Sequence, residues 1–94
     1  MDYIIHICFQ WEGITEGLKK HYDVVKETCE DMDGVKFMGL YGPYNERWNW
    51  VYIFEAESWE KLRVADRKWA NLYGGRPEQA TNVIYRLYEK YEPE

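Results

Sequence analysis

Residues 48–54, with the sequence WNWVYIF, constrain the fold more than any other stretch of this chain. Side chains of successive strand residues point to opposite faces of a sheet. As a strand, this segment presents Trp50, Tyr52 and Phe54 on one face and Val51 and Ile53 on the other. Because both sets are apolar, the strand requires cover on both sides of its sheet.

The rest of the chain predicts three further strands and two helices. β-branched and aromatic runs indicate the strands, and apolar residues at spacings of three and four indicate the helices. In chain order we predict a strand at 3–11, a helix at 15–32, strands at 35–41 and 48–56, a helix at 59–73 and a strand at 82–91. The turn residues at 42–46 make the middle two strands an antiparallel hairpin.

This β-α-β-β-α-β order predicts an α+β fold of ferredoxin-like topology, as a single domain over residues 1–94. Right-handed crossovers place both helices on one face of a four-stranded antiparallel sheet, with the first and third strands in the centre. Two helices cover only one face of that sheet. The other face would be a large exposed apolar surface, and such surfaces normally mark an interface.

Composition narrows the possible partners. A net charge of −5 argues against a nucleic-acid surface. The sequence contains no run of 18 apolar residues, which argues against a membrane span, and its first residues read as a strand rather than a signal peptide. Cys8 and Cys29 fall in a predicted strand and a predicted helix, so we predict buried free thiols in a cytoplasmic protein rather than a disulfide.

With this order of elements, the chain resembles the dimeric α+β barrel proteins, in which two ferredoxin-like subunits pack sheet to sheet. Its segment IIHICFQWEGITEGLKKHY is similar to the start of the stress-responsive α/β barrel family, and the architecture resembles that of antibiotic-biosynthesis monooxygenases and muconolactone isomerases. The resemblance implies a homodimer and a small-ligand pocket inside each subunit, between sheet and helices.

The resemblance also implies which face does what. The face carrying His6 becomes the pocket face, and the other face of the first strand becomes the dimer core. The dimer core would then comprise Ile5, Ile7, Phe9, Val51 and Ile53. The ligand-binding residues would be Cys8, His21, Tyr22, Trp50, Tyr52, Phe54, Arg86 and Tyr88.

His6 is the candidate catalytic residue, because an imidazole with a pKa of about 6.5 suits proton transfer near neutrality. The competing interpretation is a buried neutral histidine with a structural hydrogen bond. His21 lies at the edge of the helix stripe, where solvent exposure is the favoured expectation. Arg86 either receives a ligand oxygen or makes an ordinary internal pair. His6, Cys8 and His21 lack metal-ligand spacing, so no metal site is predicted.

Three functions remain open from the sequence. The first is a cofactor-free enzyme, of the monooxygenase, isomerase or cyclase type, acting on a small aromatic or polyketide-like compound. The second is a non-catalytic ligand-binding dimer, and the third is a purely structural dimeric domain. Haem-degrading and cyclase-like relatives place a histidine at the second helix, and this chain has none after His21. No cofactor is therefore predicted.

Overall fold

The predicted order of strands and helices is confirmed. The computed structural model describes residues 1–11, 15–43, 47–72 and 80–93. Its elements are β1 (Tyr3–Trp11), α1 (Thr15–Glu30), β2 (Val35–Tyr41), β3 (Trp50–Ala56), α2 (Trp59–Leu72) and β4 (Ala80–Glu89). They form one four-stranded antiparallel sheet in the order β2-β3-β1-β4, a ferredoxin-like arrangement with β1 and β3 in the centre. Of the predicted turn at 42–46, residues 44–46 lie outside the described residues.

Local signals account for most element ends. Helix α1 ends two residues before the predicted boundary, and Gly34 follows it with φ of +82°, a conformation that favours glycine. Helix α2 begins after Ser58, whose Oγ accepts a hydrogen bond from the Lys61 backbone N–H at 3.2 Å and so caps the helix.

The third strand begins later than predicted, at Trp50 rather than Trp48. The Asn49 side chain takes the place of a further strand residue there. Its Oδ1 accepts from the Trp11 N–H at 2.9 Å, and its Nδ2 donates to the Trp11 carbonyl at 3.0 Å. The strand β4 spans 80–89 rather than 82–91.

The hydrophobic core lies between the sheet and the two helices. Both helices contribute buried apolar side chains from the face that packs on the sheet. These are Leu18, Val25 and Cys29 of α1, and Leu62 and Ala65 of α2. From the two central strands the core takes Ile5, Ile7, Phe9, Trp11, Tyr52, Phe54 and Ala56. Within the described ranges, neither helix is long and apolar enough to cross a membrane.

The register of β1 against β3 corrects the predicted division of faces. Ile5 lies opposite Phe54, and Ile7 opposite Tyr52, whereas His6 lies opposite Ile53. Directly opposed residues share a face. The face of β1 that carries Ile5, Ile7 and Phe9 is therefore the covered face, and these three side chains lie in the subunit core rather than in a dimer interface.

The face away from the helices, which we call the open face, consists of three rows of cross-strand neighbours. They are Tyr41–Val51–Cys8–Ile84, Gly39–Ile53–His6–Arg86 and Lys36–Glu55–Ile4–Tyr88. Val51 and Ile53 lie on this face, as predicted, but their neighbours on β1 are His6 and Cys8. The apolar side chains that remain most exposed on it are Tyr41, Ile84 and Tyr88.

Both edge strands contain one extra residue. In β2 the register against β3 shifts between Phe37 and Gly39, which leaves Met38 as the inserted residue. In β4 the register against β1 shifts where Cys8 and Gln10 pair with Ile84 and Thr81. Such bulges bend the strand and increase its twist. The bulge in β2 is the reason that Phe37 and Leu40 both lie on the covered side.

Candidate functional site

The sheet separates the predicted site residues into two groups. Trp50, Tyr52 and Phe54 face the helices, where His21 and Tyr22 of α1 approach them. The other predicted residues, His6, Cys8, Arg86 and Tyr88, occupy the open face. The constellation of His6 above an aromatic floor of Trp50, Tyr52 and Phe54 is therefore not formed, because these groups lie on opposite sides of the sheet.

His21 is buried, contrary to the expectation that it faces solvent. Only 7% of the residue is exposed, and its Nδ1 lies 2.8 Å from the hydroxyl of Tyr52 in a buried hydrogen bond. Burial lowers the pKa of His21 to about 4, so the imidazole is neutral at neutral pH. Since His21 follows Leu18 by three residues and precedes Val25 by four, its helical spacing already indicated the core side.

Tyr52 is a core residue whose hydroxyl has a partner. Its ring stacks on Phe9 with centroids 5.4 Å apart and contacts Phe37 at 6.0 Å. Phe54, which is fully buried, lies 6.1 Å from it on the same strand. On the other side of Phe37, Tyr22 packs edge-on at 5.4 Å. This aromatic layer accounts for the burial of Tyr52 and Phe54 by packing.

The open face contains a cationic and aromatic cluster formed by His6, Trp48, Arg86 and Tyr88. His6 packs edge-on against Tyr88 with ring centroids 4.9 Å apart. The Arg86 guanidinium lies 5.3 Å from the Trp48 ring centroid, within cation–π distance. The pKa of His6 is lowered, mainly by partial burial and to a smaller extent by the positive charge of Arg86. The cluster thus combines a neutral imidazole, a guanidinium and two rings on one accessible surface.

Cys8 lies next to this cluster as a protonated thiol. Both cysteines are free and buried, which confirms the prediction of free thiols. Burial raises the pKa of Cys8, and it raises the pKa of Cys29 to about 12. Thiols in that state are poor nucleophiles. In the part of the chain that the structure describes, no group of three histidine, cysteine, aspartate or glutamate side chains could hold a metal ion.

A second polar cluster, between α2 and β4, was not predicted. The Tyr85 hydroxyl donates to both carboxylate oxygens of Asp66, at 3.1 and 3.2 Å, and Arg63 Nη1 donates to Asp66 Oδ2 at 3.1 Å. Burial and the Asp66 carboxylate raise the pKa of Tyr85 to about 12, so its hydroxyl keeps the proton it donates. Trp59 lies edge-on to Tyr85 at 5.7 Å. The helical spacing of Trp59, Arg63 and Asp66 was a signal of a common face.

Comparisons with known proteins give no family assignment for this chain. No protein-family model matches the chain, and no curated protein matches its sequence. The likeness to dimeric α+β barrel proteins consequently consists of the order of the elements and the ferredoxin-like sheet.

Proposed function

We propose that this protein is a homodimer that binds a small aromatic or polyketide-like anion at the open face and transforms it by acid–base chemistry without a cofactor. The observation that carries the proposal is the environment of Arg86. Among the residues that the structure describes, no carboxylate lies within ion-pair distance of this guanidinium. The Arg86 residue is exposed on a largely apolar face, so its guanidinium is accessible to an anionic partner.

His6 supplies the chemistry in this proposal. Its lowered pKa favours the neutral form, which is the form that accepts a proton. The base removes a proton from the bound ligand, and the negative charge that develops on a ligand oxygen is stabilised by the adjacent Arg86. Return of the proton to another carbon completes an isomerisation. In a cyclisation the carbanion instead attacks a carbonyl carbon of the same ligand, the C=O π bond opens to an alkoxide, and the proton returns to that oxygen. In a monooxygenase reaction at the same site the carbanion would reduce dioxygen, with one oxygen atom retained in the oxidised product and the other released as water.

The rings of Trp48 and Tyr88 support a planar ligand. The Trp48 ring centroid lies 5.3 Å from the Arg86 guanidinium, and the Tyr88 ring centroid lies 4.9 Å from that of the His6 imidazole. Flat apolar surfaces beside a guanidinium match an aromatic ring that carries an acidic oxygen. This chemistry is the reason for choosing an aromatic anion as the ligand class.

The dimer is supported by the apolar character of the rest of the open face. A standard interface buries about 800 Å² of each partner. That area is about one eighth of the 6440 Å² accessible surface of this chain. Around a two-fold axis the face is repeated on both subunits.

Free thiols support a reducing compartment. Cys8 and Cys29 are buried and unpaired with each other. Structural disulfides are rare in the cytoplasm and common in secreted small domains. We therefore place the proposed activity in the cytoplasm.

Replacement of Ile53 by arginine is expected to convert the dimer to a monomer. Two like charges would then face each other across the two-fold axis in an apolar interface. Sedimentation velocity at micromolar protein measures the result. Val64→Arg is the matched control, because Val64 is an exposed apolar residue of α2 and should leave the sedimentation coefficient unchanged. A wild-type protein that sediments as a monomer would contradict the dimer.

Benzoate is a suitable probe of the ligand site, with neutral benzamide as its counterpart. We expect benzoate to shift the amide resonances of Arg86 and Tyr88, and Arg86→Gln to weaken its binding about tenfold, because a charge-assisted hydrogen bond is lost. His6→Gln should retain benzoate binding and lose deuterium exchange at the α-carbon of aryl ketones, which NMR follows directly. Equal titrations of wild-type protein and Arg86→Gln would contradict the site.

A purely structural dimer is the second candidate, and the aromatic layer under the helices favours it. Tyr52 and Phe54 are almost completely buried by protein side chains. If the protein dimerises and neither benzoate binding nor exchange is observed, the structural function replaces the enzymatic one.

A further inference from the structure

Arg63 of α2 lies close to two aromatic rings, one on its own helix and one on β4. Its guanidinium carbon is 5.8 Å from the Trp59 ring centroid and 5.7 Å from the Tyr85 ring centroid. The Arg63 side chain remains 39% exposed, whereas the Asp66 side chain beside it is only 13% exposed. The charged group is therefore held in place by two rings while part of it still reaches solvent.

Asp66 uses only a small part of the hydrogen-bonding capacity of Arg63. A guanidinium has five N–H donors in a planar fork. Within the described residues, the ion pair joins Nη1 to Asp66 Oδ2, and the guanidinium also interacts with the Tyr85 hydroxyl. Both oxygens of Asp66 also accept from the Tyr85 hydroxyl. The Asp66 carboxylate is thus stabilised by both Arg63 and Tyr85, and the Arg63 guanidinium retains donors for a second anion.

Apolar surface lies beside this guanidinium. Leu87 follows Tyr85 by two residues on β4, and both lie on the covered side, opposite Ile5 and Ile7. Leu87 is nevertheless 48% exposed, so the helices leave this part of the covered side accessible. Trp59 of α2 packs edge-on against Tyr85, the residue of β4 that shares this side of the sheet with Leu87.

We propose that Arg63, Trp59, Tyr85 and Leu87 form a binding site for a small apolar carboxylate. The ligand carboxylate accepts from the N–H groups of Arg63 that remain beyond its contacts with Asp66 and Tyr85. The apolar part of the ligand covers Leu87 and the edge of Trp59 and removes them from water. This site lies on the other side of the sheet from Arg86 and does not depend on the function proposed there.

Octanoate is the probe, with octanol as a neutral compound of the same chain length. Titration into ¹⁵N-labelled full-length protein should shift the Trp59 indole and Leu87 amide resonances with octanoate and much less with octanol. Arg63→Gln should weaken octanoate binding about tenfold, because a charge-assisted contact is lost. Arg67→Gln, at an exposed arginine of the same helix, should bind octanoate as the wild type does. Arg86→Gln should also leave this titration unchanged.

The opposite results would overturn the site. If octanoate leaves the Trp59 and Leu87 resonances of the wild-type protein in place, Arg63 serves only to link α2 to β4. The same conclusion follows if Arg63→Gln lowers the melting temperature but titrates like the wild type. Loss of octanoate binding in Arg86→Gln would move the carboxylate site to the open face and refute the assignment to Arg63.

Discussion

Acidification from about pH 7 to about pH 4 is expected to lower the free energy of unfolding by about 3 kcal/mol through His21 alone. In the unfolded chain this histidine titrates near 6.5, whereas burial lowers its pKa in the folded protein to about 4. Between these two values the unfolded state binds a proton that the folded state does not bind. Stability therefore falls as the pH falls through this window and is independent of His21 at higher pH.

Urea unfolding followed by tryptophan fluorescence at several pH values measures this loss. Carboxylates also destabilise proteins in acid, so the informative quantity is the difference between the wild type and His21→Gln. Glutamine keeps a polar side chain of similar size at this position and does not titrate. His6→Gln is the matched control and should keep nearly the whole pH dependence. Equal acid sensitivity in the wild type and His21→Gln would show that His21 is not the responsible group.

Truncation of Phe54 to alanine is expected to cost about 4 kcal/mol of unfolding free energy, the usual loss for a fully buried phenylalanine. Phe54 is completely buried between the central strands and the helices. It contacts Phe37 at 5.7 Å and Tyr52 at 6.1 Å, so its removal leaves a cavity in the aromatic layer. Chemical denaturation with circular dichroism gives the value directly.

The neighbouring residue provides the control. Ile53 lies on the opposite side of the same strand, on the open face, and is only partly buried. We expect Ile53→Ala to cost about 1 kcal/mol or less in a dilute subunit. If the proposed dimer forms, the loss grows with protein concentration. Phe54→Ala should show the same loss at every concentration. A reversed ranking at low concentration would contradict the assignment of the two faces.

The sequence was sufficient to predict the elements and their order, because helical and strand periodicities are local. It was not sufficient to predict which faces of β1 and β3 lie together. Both strands are apolar on both sides, so the patterns fit either pairing. A slip of one residue in register moves every side chain to the other face. The register that places Ile5 opposite Phe54 is a property of the folded sheet.

The candidate sites were also predictable only where local spacing determines the position of a residue. His6 and Arg86 were chosen separately for their chemistry, and the register does bring them side by side on adjacent strands. The position of His21 could have been inferred from its helical spacing to Leu18 and Val25. The contact of Asp66 with Tyr85 could not have been inferred, because it depends on how far α2 lies over β4. The spacing of residues along the sequence does not determine that distance.

The extra residues in β2 and β4 have a consequence for the self-association proposed above. The two strands are the outer edges of the sheet, and both are irregular. A bent and twisted edge is a poor template for a strand from another chain. Edge-to-edge pairing of strands, which can continue from copy to copy without limit, is thereby disfavoured. Contact between the same face of two subunits, related by a two-fold axis, is complete after two copies. The bulges thus favour a finite particle over a fibre.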